Sequence, residues 1–345
     1  MKTVESVTEG HPDKVCDQIA DAILDAYLAR DPASRVALEA IGSHGALMIG
    51  GEVTSTADID PSQIALNVYK EIGYEDDLEV FANIEEQSPE IAQSMSQGGA
   101  GDQGITYGYA TAETSEFLPE PVVTANRLAW GLSNLRRNHA DFAWLRPDGK
   151  TQVTYDKGRP QSVLVSCQHR QDVADEDIRR LVIEHLIAPT IGDVGNVEVL
   201  VNPGGKFVTG GFSADTGLTG RKIMVDTYGG LVPHGGGAFS GKDPSKIDRA
   251  GAYMARFAAK NMVANGVAKN ILVSVAYAIG QDKPVMLRAV SGQGQDLTGY
   301  LRDHYDFRPQ AILERLSLRR PIYRSAAAYG HFGRDEFPWE HIVLN

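Results

Sequence analysis

The chain has 345 residues, a formal net charge of −12, 42% hydrophobic residues and 23% charged residues. That length supports two or three domains with a sizeable core, and the acidic balance argues against a general nucleic-acid binder. No apolar run approaches the roughly 20 residues of a membrane span, no signal peptide opens the chain, and Cys16 and Cys167 make neither a disulfide framework nor a zinc site, so the default setting is reduced and cytoplasmic.

In chain order, Gly10-His11-Pro12-Asp13-Lys14 opens a helix with Val15, Ile19, Ala22, Ile23 and Ala26 on one face. A strand near Ala46–Thr54 and a helix after Pro61 complete a first unit. The pattern returns as a helix over Pro121–Asn138, a strand at Ser162–His169 and a helix near Asp175–Ile187. It returns again as a helix over Pro244–Asn265, a strand at Ile271–Gly280 and a helix near Asp296–Tyr305. Three such repeats predict an α+β protein of three similar subdomains, each a sheet with helices on one face. Two Gly-rich stretches, Ser88–Gly104 and Asn202–Gly220, lack either period and read as lids or binding loops.

The stretch Gly235–Arg249, GGGAFSGKDPSKIDR, carries the most chemistry. Glycines let backbone approach phosphates, lysines neutralise them, and a carboxylate suits Mg²⁺. Gly236 to Lys242 fits G-x-x-x-x-G-K, but Asp243 stands where a P-loop needs Ser or Thr, and TYGGLVPHGG upstream is a poor strand. Asp243 as N-cap and Pro244 as first helical residue would put Lys246 in a helix's first turn. Lys14 after Pro12 repeats that arrangement, which predicts one anionic ligand gripped from two sides. His11, Lys14, Arg221, Lys222, Lys242 and Lys246 all lie in Gly-rich or helix-start contexts.

These blocks, with GGEVTS at Gly50–Ser55, GAGDQG at Gly99–Gly104, WLRPDGKTQV at Trp144–Val153, NPGGKFVTGG at Asn202–Gly211, DTGLTGRKIMVDTYGG at Asp215–Gly230 and AAYGHFGR at Ala327–Arg334, cover nearly the whole chain. In this order they resemble the S-adenosylmethionine synthetase (methionine adenosyltransferase) family. The resemblance implies attack of the methionine sulfur on C5′ of ATP, expulsion of triphosphate, and its hydrolysis to pyrophosphate and phosphate. A thioether has no proton to remove, so the demand is for cations aimed at the leaving group.

Residue by residue, the resemblance implies that His11 lies against the triphosphate near C5′ and acts in catalysis with Arg221, Lys242 and Lys246. Asp13 and Asp248 would each hold Mg²⁺, two ions per site, and Glu39 a K⁺. Arg221, Lys222 and Lys242 would clamp phosphates, with Lys246 also reaching methionine. Asp148, Lys150, Lys206, Phe207, Asp215 and Ala238 would contact ATP, Phe207 by stacking on adenine. Glu52, Gln87 and Asp215 would form the methionine pocket, and Gln87 and Asp102 would belong to the gating loop. The Pro-Asp-Gly around Asp148 also reads as a plain turn.

The family fold implies three units about a pseudo-threefold axis and a homodimer, often paired into a homotetramer, with the site between subunits. The expected boundaries are 1–88 for the N-terminal unit, 89–104 for the gating loop, 105–210 for the central unit and 211–345 for the C-terminal unit, interleaved in space. The chain begins only a few residues before Glu5, fewer than in many members; its Ser88–Gly104 loop is also shorter, and since the family's loop gates the site, that loop bears on rate and product release. Glu85–Glu86 stands where small apolar residues are common. A regulatory relative would lack the charged ligands, and a Mg²⁺-dependent NTP or tripolyphosphate hydrolase would have no use for Glu52 and Gln87.

Overall fold

The computed structural model describes residues 1–86 and 99–344. Its first helix, α1 (Pro12–Arg30), begins because the next residues satisfy its free end. His11 Nδ1 accepts the Asp13 N–H at 3.2 Å, and Pro12, which has no N–H to satisfy, takes the first helical position. The apolar face foreseen for α1 exists, but the helix is buried on nearly every side, Lys14, Asp17 and Asp21 included.

Each repeat contains a hairpin where the sequence suggests a single strand. The first is β2 (Arg35–Ser43) with β3 (Ala46–Thr54), followed by α2 (Pro61–Ile72) and β4 (Glu79–Glu85), which runs parallel to β3. The second follows α3 (Glu120–Asn138): β6 (Leu145–Asp156) pairs with β7 (Arg159–His169), then α4 (Asp175–Val182) leads to β8 (Glu198–Val201), parallel to β7. The third follows α5 (Ile247–Ala264): β10 (Asn270–Tyr277) pairs with β11 (Met286–Ser291), then α6 (Thr298–His304) and α7 (Pro309–Arg315). The first two hairpins turn on His44-Gly45 and Lys157-Gly158, all four residues at positive φ. That is the twist a two-residue hairpin turn needs, reached here without the Asn-Gly or Asp-Gly that would announce it.

One further strand joins each hairpin, and it always comes from elsewhere in the chain. β1 (Lys2–Val7) pairs with β6 in the central sheet, β5 (Gly104–Thr111) with β10 in the C-terminal sheet, and β9 (Gly217–Leu218) with β2 in the N-terminal sheet. The exchange closes a cycle: the chain start serves the central unit, the segment before the central unit serves the C-terminal one, and the segment before the C-terminal unit serves the N-terminal one. Helices α1, α3 and α5 pack on β2, β6 and β5 respectively. On β2 the residues Val36, Leu38 and Ala40 point into the core, while Ala37, Glu39 and Ile41 face outward with period two.

Two local expectations change. The Pro-Asp-Gly at Pro147–Gly149 is not a turn between elements; it sits inside β6 as a bulge, the register against β7 shifting between Leu145 and Gly149. The third long helix starts at Ile247, with Lys246 as N-cap, and not at Pro244. Asp243 is engaged elsewhere: Oδ2 accepts the Val36 N–H and Lys246 Nζ, each at 2.7 Å, and Oδ1 accepts the Ser245 N–H at 2.8 Å. A carboxylate tied to β2 holds a separate turn there.

α5 also carries three buried cations. Arg249 pairs with Asp21 of α1. Arg256 spends all five guanidinium donors, on both oxygens of Glu340 and on the carbonyls of Tyr109, Glu116 and Phe117. Lys260 reaches Glu340 at 2.9 Å and Asp335 at 3.2 Å. No described helix is long and apolar enough to cross a membrane.

Candidate active site

The structure divides the site residues into groups. The first lies at the start of α1. Asp13 Oδ1 accepts the Leu218 N–H at 3.0 Å, Oδ2 accepts Lys222 Nζ at 2.6 Å, and Arg221 Nε stands 3.6 Å from Oδ1. Burial pushes the Asp13 carboxyl upward, but Lys222 and the Leu218 N–H outweigh it and hold it below the ordinary value. The loop bearing Arg221 and Lys222 is brought here by β9, so the strand exchange itself assembles this group.

His11 is 3% exposed, and burial, then Lys222 and Lys150, lower its pKa to about 3. Because Nδ1 accepts the Asp13 N–H, the imidazole is neutral with its proton on Nε2, a donor at the helix start. In the unfolded chain an imidazole titrates near 6.5, so the folded state binds this proton less readily. The contribution of His11 to stability is therefore complete above about 6.5 and is lost as pH falls toward about 3. Urea midpoints followed downward from neutral pH should fall more steeply for the wild-type chain than for His11→Asn, and equal slopes would exclude a buried neutral imidazole.

Lys14 does not join this group. It is fully buried between Asp17 at 2.8 Å and Asp226, so it balances core carboxylates and grips no ligand. The match between Lys14 and Lys246 in sequence is thus not a match in role.

A second group lies on the outward face of the N-terminal sheet. Lys242 forms an isolated antiparallel bridge with Ala37, which stands opposite Glu52 of β3. Lys242, Ala37 and Glu52 therefore form one row across the sheet, its ends roughly 10 Å apart at the usual strand spacing. Glu39 lies on the same face, opposite Gly50. Lys242 Nζ meets Asp248 Oδ2 at 2.7 Å, and Lys246 Nζ meets Asp243. Gly241 takes φ of 81° with its backbone against Leu38, where a Cβ would come within 1.9 Å of the carbonyl oxygen, so no side chain fits beside Lys242.

Asp148 and Phe207 mark a third region, on and beside β6 and β7, while Lys150 of β6 also acts on His11 of the first group. Asp148 is 4% exposed; Oδ2 accepts the Gly211 N–H at 2.9 Å, while Oδ1 is buried with no partner among the described residues. Burial raises its pKa to about 6. Phe207 is half-buried and pinned by His169, whose N–H donates to the Phe207 carbonyl at 2.9 Å while Nε2 accepts the Phe207 N–H at 3.1 Å. Sequence reasoning missed His169 and read Asp243 only as a helix cap; their distant backbone partners, Phe207 and Val36, leave no mark on local spacing. Lys150, Lys206 and Asp215 are exposed, and Ala238 is half-buried where a Cβ on Gly220 would touch it. Asp102 is exposed and accepts the N–H of Gln103. Gln87 and most of the expected gating loop lie outside the described residues.

Among the described residues no three His, Cys, Asp or Glu side chains gather into a metal cage. Asp13 and Asp248 stand in different groups, each offering one carboxylate beside a lysine. Such a donor set fits Mg²⁺ held by one or two carboxylates, with substrate phosphate oxygens and water completing its octahedron.

Family models cover almost the whole chain in three consecutive blocks. Residues 1–97 match the N-terminal domain of S-adenosylmethionine synthetase, 97–207 its central domain and 209–341 its C-terminal domain. The chain is 49% identical to the S-adenosylmethionine synthase of Sorangium cellulosum, over 98% of this chain and 86% of that one. It is 49% identical to that of Desulforudis audaxviator over 99% and 95%, and 50% identical to S-adenosylmethionine synthase 1 of Rhodospirillum rubrum over 98% and 95%. With all three domain models matched in order and relatives this similar along the full length, the chain belongs to the S-adenosylmethionine synthetase family.

Proposed function

We infer that this chain makes S-adenosyl-L-methionine from ATP and L-methionine and hydrolyses the expelled triphosphate to pyrophosphate and phosphate. The observation that carries the reading is the first group: a neutral buried His11, an ionised Asp13, and Lys222, Arg221 and Lys150 drawn from distant segments to one helix start. Such an array suits a leaving group on which negative charge grows and would serve poorly to pull a proton from a substrate. The methionine sulfur forms its bond to C5′ as the C5′–O bond breaks, the electron pair leaving with triphosphate. His11 donates from Nε2 to a phosphate oxygen, and Arg221, Lys222 and Lys242 bind the phosphates. Mg²⁺ at Asp13 and Asp248 would add charge neutralisation when bound, and K⁺ would sit at Glu39. Glu52, with Asp215 and Lys246, holds the amino-acid end of methionine. Asp148, Lys150, Lys206, Phe207 and Ala238 hold the nucleoside. Asp102 contacts substrate from the loop before β5.

The second group is half of a site spread over an open sheet face. That face also exposes the row Ile41, Met48 and Phe81, in register across β2, β3 and β4. Apolar residues in such a row favour covering by another surface. A second copy laid on it would bring its own His11–Asp13–Lys222 group toward Glu52 and Lys242, which supports a dimer with shared sites; sedimentation velocity distinguishes dimer from tetramer. The activity is tested by incubating the protein with ATP, L-methionine, Mg²⁺ and K⁺. S-adenosylmethionine, pyrophosphate and phosphate in equal amounts are expected. Phosphate without S-adenosylmethionine would make the chain a hydrolase, and no turnover would overturn the catalytic reading.

A further inference from the structure

α1 carries aspartates at positions 13, 17, 21 and 25, one every fourth residue and hence along a single ridge. Like charges at this spacing repel in an isolated helix. Here each accepts backbone N–H groups from a segment far along the chain. Asp13 takes the N–H of Leu218, Asp17 Oδ1 that of Gly220 at 2.9 Å, and Asp21 Oδ1 that of Gly241 at 2.9 Å. Asp25 takes those of Tyr323 and Arg324, at 3.0 Å and 2.9 Å. Gly220 directly precedes Arg221 and Lys222, and Gly241 directly precedes Lys242. Lys14 neutralises Asp17 through Oδ2 and leaves its Oδ1 to the loop, while Arg249 donates to both oxygens of Asp21, whose Oδ1 also accepts the Gly241 N–H.

We propose that Asp17 and Asp21 are positioning residues, which use α1 as a rigid rail to set the cation-bearing loops of the active site at fixed heights. Asp17 sets the Arg221–Lys222 loop and Asp21 the Lys242 loop. Both loops are rich in glycine and have no strand longer than two residues to hold them, so a buried carboxylate on the backbone N–H beside each cation supplies the rigidity that a sheet would otherwise give. The role rests on the functional reading above, in which those cations bind triphosphate. Asp25 is the internal control: it has the same chemistry on the same helix, but its loop carries none of the proposed phosphate ligands.

The test compares Asp17→Asn, Asp21→Asn and Asp25→Asn with the wild-type full-length chain. Inorganic tripolyphosphate with Mg²⁺ is the probe, bound in a calorimeter and hydrolysed in a phosphate assay. Thermal unfolding of each variant measures the structural cost separately. A displacement of about 1 Å at such a site costs on the order of 10²-fold in rate. Asp17→Asn and Asp21→Asn should therefore lose about tenfold or more in tripolyphosphate affinity and kcat/KM, with the KM for methionine unchanged, and Asp25→Asn should stay within about twofold of wild type. Should Asp21→Asn fail to fold because Arg249 loses its counter-charge, Asp21→Asn with Arg249→Gln takes its place. Wild-type binding with unaffected Asp17 and Asp21 variants overturns the positioning role alone. An equal loss in the Asp25 variant reduces all three to general stability and also overturns it. A wild-type chain that does not bind tripolyphosphate overturns the functional reading and this role together.

Discussion

Lys242→Ala lowers S-adenosylmethionine formation by about 10²–10³-fold, the typical effect of removing one preorganised charge stabiliser, while the fold survives. The fold survives because the lysine contributes little to it. Its side chain is 22% exposed, its backbone bridge to Ala37 does not depend on the side chain, and its carboxylate partner Asp248 reaches solvent to a similar degree. Removing the amine leaves the sheet and α5 in place but leaves part of the leaving triphosphate without its counter-charge. Asp248→Ala should cost a similar factor through its Mg²⁺, and extra Mg²⁺ should restore part of that loss but none of the loss in Lys242→Ala. Initial rates by mass spectrometry, with circular dichroism to verify the fold, decide the matter. Near-wild-type turnover in either variant removes that residue from the site.

Glu340→Ala should destabilise the chain by about 3–5 kcal/mol, the usual cost of removing one partner from a buried ion pair. Glu340 is 1% exposed and faces two cations of α5 at once, Arg256 and Lys260. Without it, among the described residues, Lys260 keeps the exposed Asp335 as its carboxylate partner, and Arg256 keeps three carbonyls but no carboxylate hydrogen bond. Those carbonyls belong to β5 and the segment before α3, so the defect loosens the end of the chain and the exchanged strand together. Glu340→Gln keeps the shape and some hydrogen bonds and should cost less, about 1–3 kcal/mol. Urea denaturation at fixed pH gives both numbers. A loss below about 1 kcal/mol in Glu340→Ala would mean that water or Asp335 replaces the carboxylate fully.

Much of the candidate site's cation array was legible because its residue types are written locally. A histidine before a helix-start proline, a Gly-Lys beside an Asp, and an Arg-Lys pair after a glycine declare a cation array wherever they fold. The start of α1 was equally legible, since capping is settled by neighbours within one turn. The start of α5 was not, because Asp243 satisfies Val36 from another strand and so gives up its capping role. The hairpins of the first two units escaped because His-Gly and Lys-Gly are weak turn signals, although their backbones adopt the required positive φ.

The sequence by itself determined which residue types are available to bind polyphosphate and where three long helices run, since hydrophobic period and charge are properties of a short window of chain. Only the tertiary structure decided which charges remain available to a ligand. Lys14 and Lys246 follow the same Pro-x-Lys pattern, yet Lys14 is fully buried between Asp17 and Asp226 while Lys246, paired with Asp243, keeps its side chain 17% exposed. The difference arises from Asp226, more than two hundred residues away and delivered by the strand exchange. Burial and partner choice are set by long-range pairing, to which a short window of sequence has no access.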